Sequence, residues 1–241
     1  MTAILVRQYG PITVVTDSIT STGLTDFINS LGCRHHRFKR GYRNVINEAK
    51  RLLALEEAAK KAKEETDAEF ANAILADAEF ANAIFAMETS GHGALRENYF
   101  LDDGAYIIVK LLVALVEARR EGKTLNELIA NLKEPCESAE ARLNVLLDDT
   151  ADYTAAVLET VEKHFSNLPG FEIVQPNYEG VRVNADETHG NGWFRRSLHD
   201  PLMPCNIESN SVGGMRLIAA ELYNALRAFD KLELEPLKKL M

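Results

Sequence analysis

The run Ile12-Thr13-Val14-Val15-Thr16-Asp17-Ser18 constrains this chain more than any other feature. Its β-branched residues read as a short buried strand that ends in three polar side chains. Leu24, Phe27, Ile28 and Leu31 follow at helical spacing within Ser21–Leu31, and Gly32 stands where a helix stops. Cys33 to Asn44, CRHHRFKRGYRN, is a basic segment with a turn glycine, and a second helix is expected from about Asn44. Strand, helix, basic strand and helix in that order predict a βαβα unit built on a mainly parallel sheet.

From about Leu52 to Ala86 the chain becomes acidic and rich in alanine, with eight acids against three lysines and no glycine or proline. Helix is expected throughout, as an insertion at about 52–86. DAEFANAI occurs twice within it, at Asp67–Ile74 and Asp77–Ile84. An offset of ten residues is too short for solenoid units of roughly 20–50 residues, so the repeat reads as a local duplication. Phe70 with Ile74, or Phe80 with Ile84, would form i,i+4 apolar pairs along one face.

IFAMETS is the next expected strand, followed by a turn at Gly91-His92-Gly93 and a long helix from about Asp103 to Arg120. Thr124 would cap a short helix, TLNELIANL, and Pro135 then breaks the chain. The second half reads as a strand (ARLNVLLD), a helix over Thr150–Leu168, four short strands and a helix from Gly213 to Phe229. The tail KLELEPLKKLM is expected to be peripheral. The fold class is therefore α/β, a mixed mainly parallel sheet with flanking helices, followed by a small α+β domain with an antiparallel sheet and two helices. The expected domains are 1–134 and 135–241.

Charge and composition narrow the function. Over 241 residues, 27 Lys and Arg face 36 Asp and Glu, a net charge of −9. A general nucleic-acid binder needs a basic surface to displace counterions from phosphates, so that class is set aside. Cys33, Cys136 and Cys205 are odd in number and lack any paired spacing, which points to a reducing, cytoplasmic compartment. The longest apolar run, Tyr106–Val116, is too short to span a bilayer, and MTAILVRQYG lacks the layout of a secretion signal.

Three clusters could carry chemistry. In Glu88-Thr89-Ser90-Gly91-His92-Gly93, Glu88 and Ser90 lie two apart and would project to one face, as vicinal sugar hydroxyls require. His92 is a candidate proton carrier near neutral pH; a plain polar turn explains the segment equally well. Arg34, His35, His36, Arg37, Lys39, Arg40 and Arg43 invert the local sign of charge and suit a phosphate or carboxylate. The plainer alternative is a surface run pairing with the acidic insertion, and His35 and His36 would point to opposite faces of a strand rather than share a metal. Arg195-Arg196-Ser197-Leu198-His199-Asp200-Pro201 offers an arginine fork and a hydroxyl for a phosphate. A Ser-His-Asp relay does not fit three residues packed within four positions.

Taken together, AMETSGHGALRENYFLDDGAY resembles the sugar-binding loop and following helix in the third domain of the α-D-phosphohexomutases, the phosphoglucomutase/phosphomannomutase family. The family's E-x-S-G-H motif falls on Glu88, Ser90, Gly91 and His92. FKRGYRNVINEA is similar to the segment preceding that loop, with Lys39 and Gly41 matching and Tyr42 where many relatives place histidine. GVRVNADETHGNGWFRRSLHDP resembles the fourth domain, whose phosphate loop R-x-S-G/N-T-x-P matches at Arg195, Ser197 and Pro201. Leu198 and His199 stand where that loop has a small residue and threonine.

The resemblance implies interconversion of hexose 1-phosphate and hexose 6-phosphate. Glu88, Ser90 and Lys39 would contact the sugar substrate, His92 would carry a proton, and Arg195, Ser197 and His199 would bind phosphate. The family's phosphoserine loop, T-A-S-H-N-P-like, and its D-x-D-x-D-R magnesium motif do not occur in this sequence. No cofactor is therefore expected in this chain, although Mg2+ is expected in the full-length enzyme. The implied partners are a hexose phosphate and the missing N-terminal half, with no nucleic acid and no membrane. The competing reading is a non-catalytic sugar-phosphate-binding or protein-interaction module that uses the acidic helical insertion.

Overall fold

A computed structural model describes residues 1–64, 82–185, 190–197 and 200–241. The first DAEFANAI copy, most of the second and His199 lie outside the described residues. The chain divides into two compact units, Met1–Lys133 and Glu134–Met241.

The first unit is an α/β layer. Helix α1 (Thr2–Tyr9) precedes strand β1 (Thr13–Thr16), α2 (Thr22–Ser30), β2 (Arg34–Arg37), α3 (Tyr42–Glu64), β3 (Phe85–Met87), β4 (Gly93–Leu95) and α4 (Gly104–Arg120). The sheet order is β2-β1-β3-β4. β1 pairs in parallel with β2 and with β3, and β4 runs antiparallel to β3. Every residue of the central strand β1 is buried, which is why its sequence is a continuous run without polar alternation. β2, with the sequence RHHR, is an edge strand, where charged side chains reach water and discourage further pairing.

Helix starts follow local chemistry. Ser21 accepts the Gly23 N–H at the start of α2, Asp103 accepts the Tyr106 N–H at α4, and Thr124 with Glu127 forms a capping box on a 3-10 turn, Leu125–Ile129. Two expectations change. α1 was not foreseen: its eight residues include only two buried ones, Thr2 and Leu5, too few for a visible period. The acidic stretch from Leu52 is also no separate element up to Glu64, because α3 runs straight into it from Tyr42. Val45, Ile46, Ala49, Leu52 and Leu53 keep one helical face in the core, and nothing in the sequence breaks the turn. Ile84, expected in an i,i+4 helical pair, instead sits buried in non-helical chain just before β3.

The second unit is α+β. β5 (Glu137–Asn144), α5 (Ala151–Ser166), β6 (Phe171–Ile173), β7 (Val181–Ala185), β8 (Asn191–Phe194), β9 (Leu202–Ser209), α6 (Gly214–Leu226) and a short α7 (Glu235–Lys238) make it up. The sheet order β5-β9-β8-β7-β6 is antiparallel throughout. Val157, Val161 and Phe165 of α5 and Ile218, Leu222 and Leu226 of α6 meet the inner sheet residues in one core.

The C-terminal tail is not peripheral. The Glu233 N–H donates to Asn144 O and the Leu146 N–H to Lys231 O, so the tail extends the sheet beside β5. Leu237, fully buried, plugs the core. Its burial was hidden because the surrounding KLELEPLKKL alternates charge with leucine over too short a span. Leu237→Ala is expected to lower unfolding free energy by about 2–5 kcal/mol, measured by urea denaturation, whereas a peripheral tail would give near zero.

Candidate functional site

The parallel register brings three strand ends together. Thr16 of β1 faces Arg37 of β2 and Met87 of β3 in a single row. The residues that follow, Asp17-Ser18, Phe38 to Gly41 and Glu88 to Ser90, therefore leave the sheet along one edge, its carboxyl end, where α/β sheets place ligands.

Glu88 anchors this edge and is only 8% exposed. Its Oε1 accepts the Gly41 N–H at 3.1 Å, with Arg40 Nε 3.8 Å away, and its Oε2 accepts the Ser90 hydroxyl at 2.7 Å. Gly41 has φ +111, a left-handed backbone that lets its amide point at the carboxylate. The turn closes through the Glu88 N–H to His92 O and the Gly91 N–H to Glu88 O, with Gly91 at φ +98. Ser90 and His92 are exposed on this turn.

His92 is oriented from two sides. Its Nδ1 lies 2.7 Å from Asp102 Oδ2, and its ring stacks on Tyr42 at 5.0 Å. A carboxylate only accepts, so Nδ1 is the donor in this bond, and in the neutral ring Nε2 is the acceptor. Asp102 also accepts the Gly93 N–H through Oδ1. Asp102 is a partner that residue reasoning overlooked; the Asp-Asp pair before α4 was its only sequence signal.

The basic segment separates by strand alternation. His36 is buried and donates to Glu48 at 3.0 Å, while His35 lies between Thr16 (2.6 Å) and Thr25 (2.8 Å). Arg37 donates to Thr20 O and to the Thr25 hydroxyl. These side chains build the floor of the site. Lys39 is exposed beyond the end of β2, and Arg40 faces Glu88. Among the described residues no three His, Cys, Asp or Glu side chains come together to hold a metal ion. No described helix is long and apolar enough to cross a membrane.

In the second unit, the loop after β8 carries the other cluster. Arg195 is 6% exposed, with its guanidinium 5.0 Å over the Trp193 ring and Nη1 donating to Arg196 O. The Ser197 N–H donates to Leu202 O, and its Oγ accepts the Asp200 N–H. Arg195, Arg196 and Ser197 line a cavity of about 270 Å³ with Leu158, Glu179 and Gly180. Arg196 and Ser197 also line a second cavity of about 340 Å³, beside Asp148 and Asp200. The first holds two arginines against one carboxylate and is the better seat for an anion.

The comparisons with known proteins fit this geometry. The profile described as "Phosphoglucomutase/phosphomannomutase, alpha/beta/alpha domain III" matches residues 2–135, more than half of the chain. The chain belongs to this family. Among solved structures it is similar to a phosphoglucomutase/phosphomannomutase family protein from Burkholderia thailandensis, with a TM-score of 0.61 at 19% identity over 94% of this chain and 40% of that one. It is also similar to the Paramecium phosphoglucomutase pp63/parafusin in its open form, with a TM-score of 0.54, 15% identity, and coverage of 98% and 40%. A third, Aspergillus fumigatus N-acetylphosphoglucosamine mutase in complex with GlcNAc-6P and magnesium, gives a TM-score of 0.50 at 14% identity and covers 94% and 42%. At these identities the likeness is one of fold. No curated protein matches the chain at a significant level. This chain spans about 40% of the length of the solved relatives and corresponds to the family's C-terminal region.

The floor of the site should respond to acid. Burial pushes the Glu48 carboxyl up, but hydrogen bonds from Arg51 and His36 outweigh it and hold it at about 2, below the ordinary 4.5. A depressed carboxylate stabilises the fold fully above its unfolded value and loses that contribution as pH falls toward its folded value. Glu48→Gln is expected to cost roughly 2–4 kcal/mol near pH 7, and the gap to the wild type should close between pH 4.5 and about 2 in chemical denaturation series. A gap independent of pH would contradict this assignment.

Proposed function

We propose that this chain is the sugar-recognition and phosphate-anchoring part of a phosphohexomutase, an enzyme that interconverts hexose 1-phosphate and hexose 6-phosphate. The observation that carries the reading is Glu88. It is a buried carboxylate at the carboxyl end of a parallel sheet, aligned with the Ser90 hydroxyl and fronted by Arg40. Two acceptor oxygens and a hydroxyl match adjacent sugar hydroxyls in either orientation of the ring, which a mutase must accept in turn. His92, oriented by Asp102 with Nε2 as acceptor, takes or returns the proton of a sugar hydroxyl. Lys39, exposed beside Arg40, adds positive charge toward the substrate. In the second unit, Arg195 and Ser197 hold the phosphate that is not being transferred, and His199 is assigned to the same loop by the family motif.

Phosphoryl transfer depends on positioning and charge stabilisation around a nucleophile. This sequence contains neither the phosphoserine loop nor the magnesium motif, and its described acidic residues do not converge as a metal site. In this reading the nucleophile and the cation come from the family's N-terminal half. The outer face of α4 supports that reading: Ile108, Val109, Leu112, Val113 and Val116 are each at least half exposed, an apolar stripe large for a surface left to water. Its occupant in this reading is the N-terminal half.

The test is calorimetric titration with glucose 1-phosphate and glucose 6-phosphate, coupled to a turnover assay. The purified chain is expected to bind both weakly, in about the millimolar range, and to show no turnover, since a partial site forfeits much of its preorganised contact. Glu88→Gln and, separately, Arg195→Lys should each weaken binding about tenfold. Turnover by the chain alone, lost on chelation, would overturn the assignment. So would affinity untouched by either substitution.

A further inference from the structure

Among the described residues three carboxyl groups are buried: Asp17, Glu48 and Glu88. Glu48 braces the floor and Glu88 faces the site. Asp17, fully buried directly after β1, has no role in the reading above. Its Oδ1 accepts two hydroxyls, from Thr20 at 3.0 Å and from Thr89. Its Oδ2 is buried and has no hydrogen-bond partner among the described residues. Burial pushes this carboxyl above its usual range, and the nearby Glu88 carboxylate adds to the rise.

Thr89 is the residue between Glu88 and Ser90, and its hydroxyl reaches Asp17 while the Ser90 hydroxyl meets Glu88. The turn that holds all three is tied to itself by the Glu88 N–H to His92 O and the Gly91 N–H to Glu88 O. Its bonds to neighbouring strand ends are of two kinds. Glu88 to the Gly41 N–H is a bond that a sugar would compete for, because it uses the oxygens offered to substrate. Thr89 to Asp17 uses no substrate-facing group, so it persists whichever way Glu88 is engaged.

We propose that Asp17, acting through Thr89, is the positioning residue that fixes the Glu88–Ser90 turn against the end of β1 and so sets the pose of the sugar-binding groups. This rests on the sugar reading of Glu88 and Ser90. Asp102 holds the far end of the turn through His92 and the Gly93 N–H, and the Thr89–Asp17 bond holds its near end without using a group offered to substrate. A buried acid with one oxygen lacking a donor costs stability, and a locked substrate turn is what that acid supplies.

The experiment compares Thr89→Val, which keeps the shape and removes the hydroxyl, with Thr89→Ser, which keeps the hydroxyl, in the full chain. Three readouts are taken: glucose 1-phosphate affinity, amide exchange at Ser90, Gly91 and His92, and thermal midpoint. Thr89→Val should weaken binding about five- to tenfold and speed exchange at these amides, with a midpoint within about 2 °C of the wild type. Thr89→Ser should restore both, a recovery that generic loosening of the fold would not produce. In an Asp17→Leu background, which offers the Thr89 hydroxyl no acceptor, Thr89→Val should add less than twofold, because the coupling is already broken. Unchanged affinity and exchange in Thr89→Val, or failure of Thr89→Ser to recover them, would overturn the proposal. If the wild type does not bind glucose 1-phosphate, the sugar reading falls, while exchange in Thr89→Val still decides whether Asp17 holds the turn.

Discussion

The parallel pairing of β1 with both β2 and β3 is the constraint on which the rest of the first unit depends. It sets Thr16, Arg37 and Met87 in one row, so that the chain leaves all three strands at the same edge. Had β2 or β3 alone run the other way, Glu88 and Gly41 would emerge at opposite ends of the sheet. A hydrogen bond from a backbone amide to a carboxylate 47 residues along the chain is the direct product of that register.

Beneath this edge the unit buries polar side chains rather than apolar ones. Thr16, Asp17, Ser18, Thr20, His36 and Glu48 are all buried there or just below. Each is costly to bury unless hydrogen-bonded, and most are: His36 to Glu48, Thr20 to Asp17, His35 to Thr16 and Thr25. The network resists rearrangement because moving any member strands another. Side chains above it are thereby held on a rigid base.

Much of this was legible in the residues. β1, α2 and its glycine stop, the turn at Gly91 and the capped start of α4 all follow from periodicity and turn chemistry. The antiparallel layer of the second unit was likewise readable from its short, regularly spaced strands. The basic segment was harder. Charge alone suggested one patch, whereas strand alternation turns His36 toward Glu48 on one face of the sheet and His35 and Arg37 toward Thr25 on the other, leaving Lys39 and Arg40 near the site. Asp17 and Asp102 escaped because their partners, Thr89 and His92, come from other segments, and no local pattern encodes such pairs. The C-terminal tail misled for the opposite reason: its charges are surface decoration around two buried leucines, Leu232 and Leu237.

In the proposed reading, hexose phosphate meets the carboxyl edge of the first sheet and the Arg195–Ser197 loop of the second unit. Amide chemical-shift mapping of the full chain during titration with glucose 1-phosphate tests it most directly. The account expects the largest shifts at Gly41, at Glu88 to Gly93, and at Arg195 to Ser197. Shifts confined to other surfaces, such as the groove between α1 and α4 lined by Arg7, Glu97 and Lys110, would contradict it.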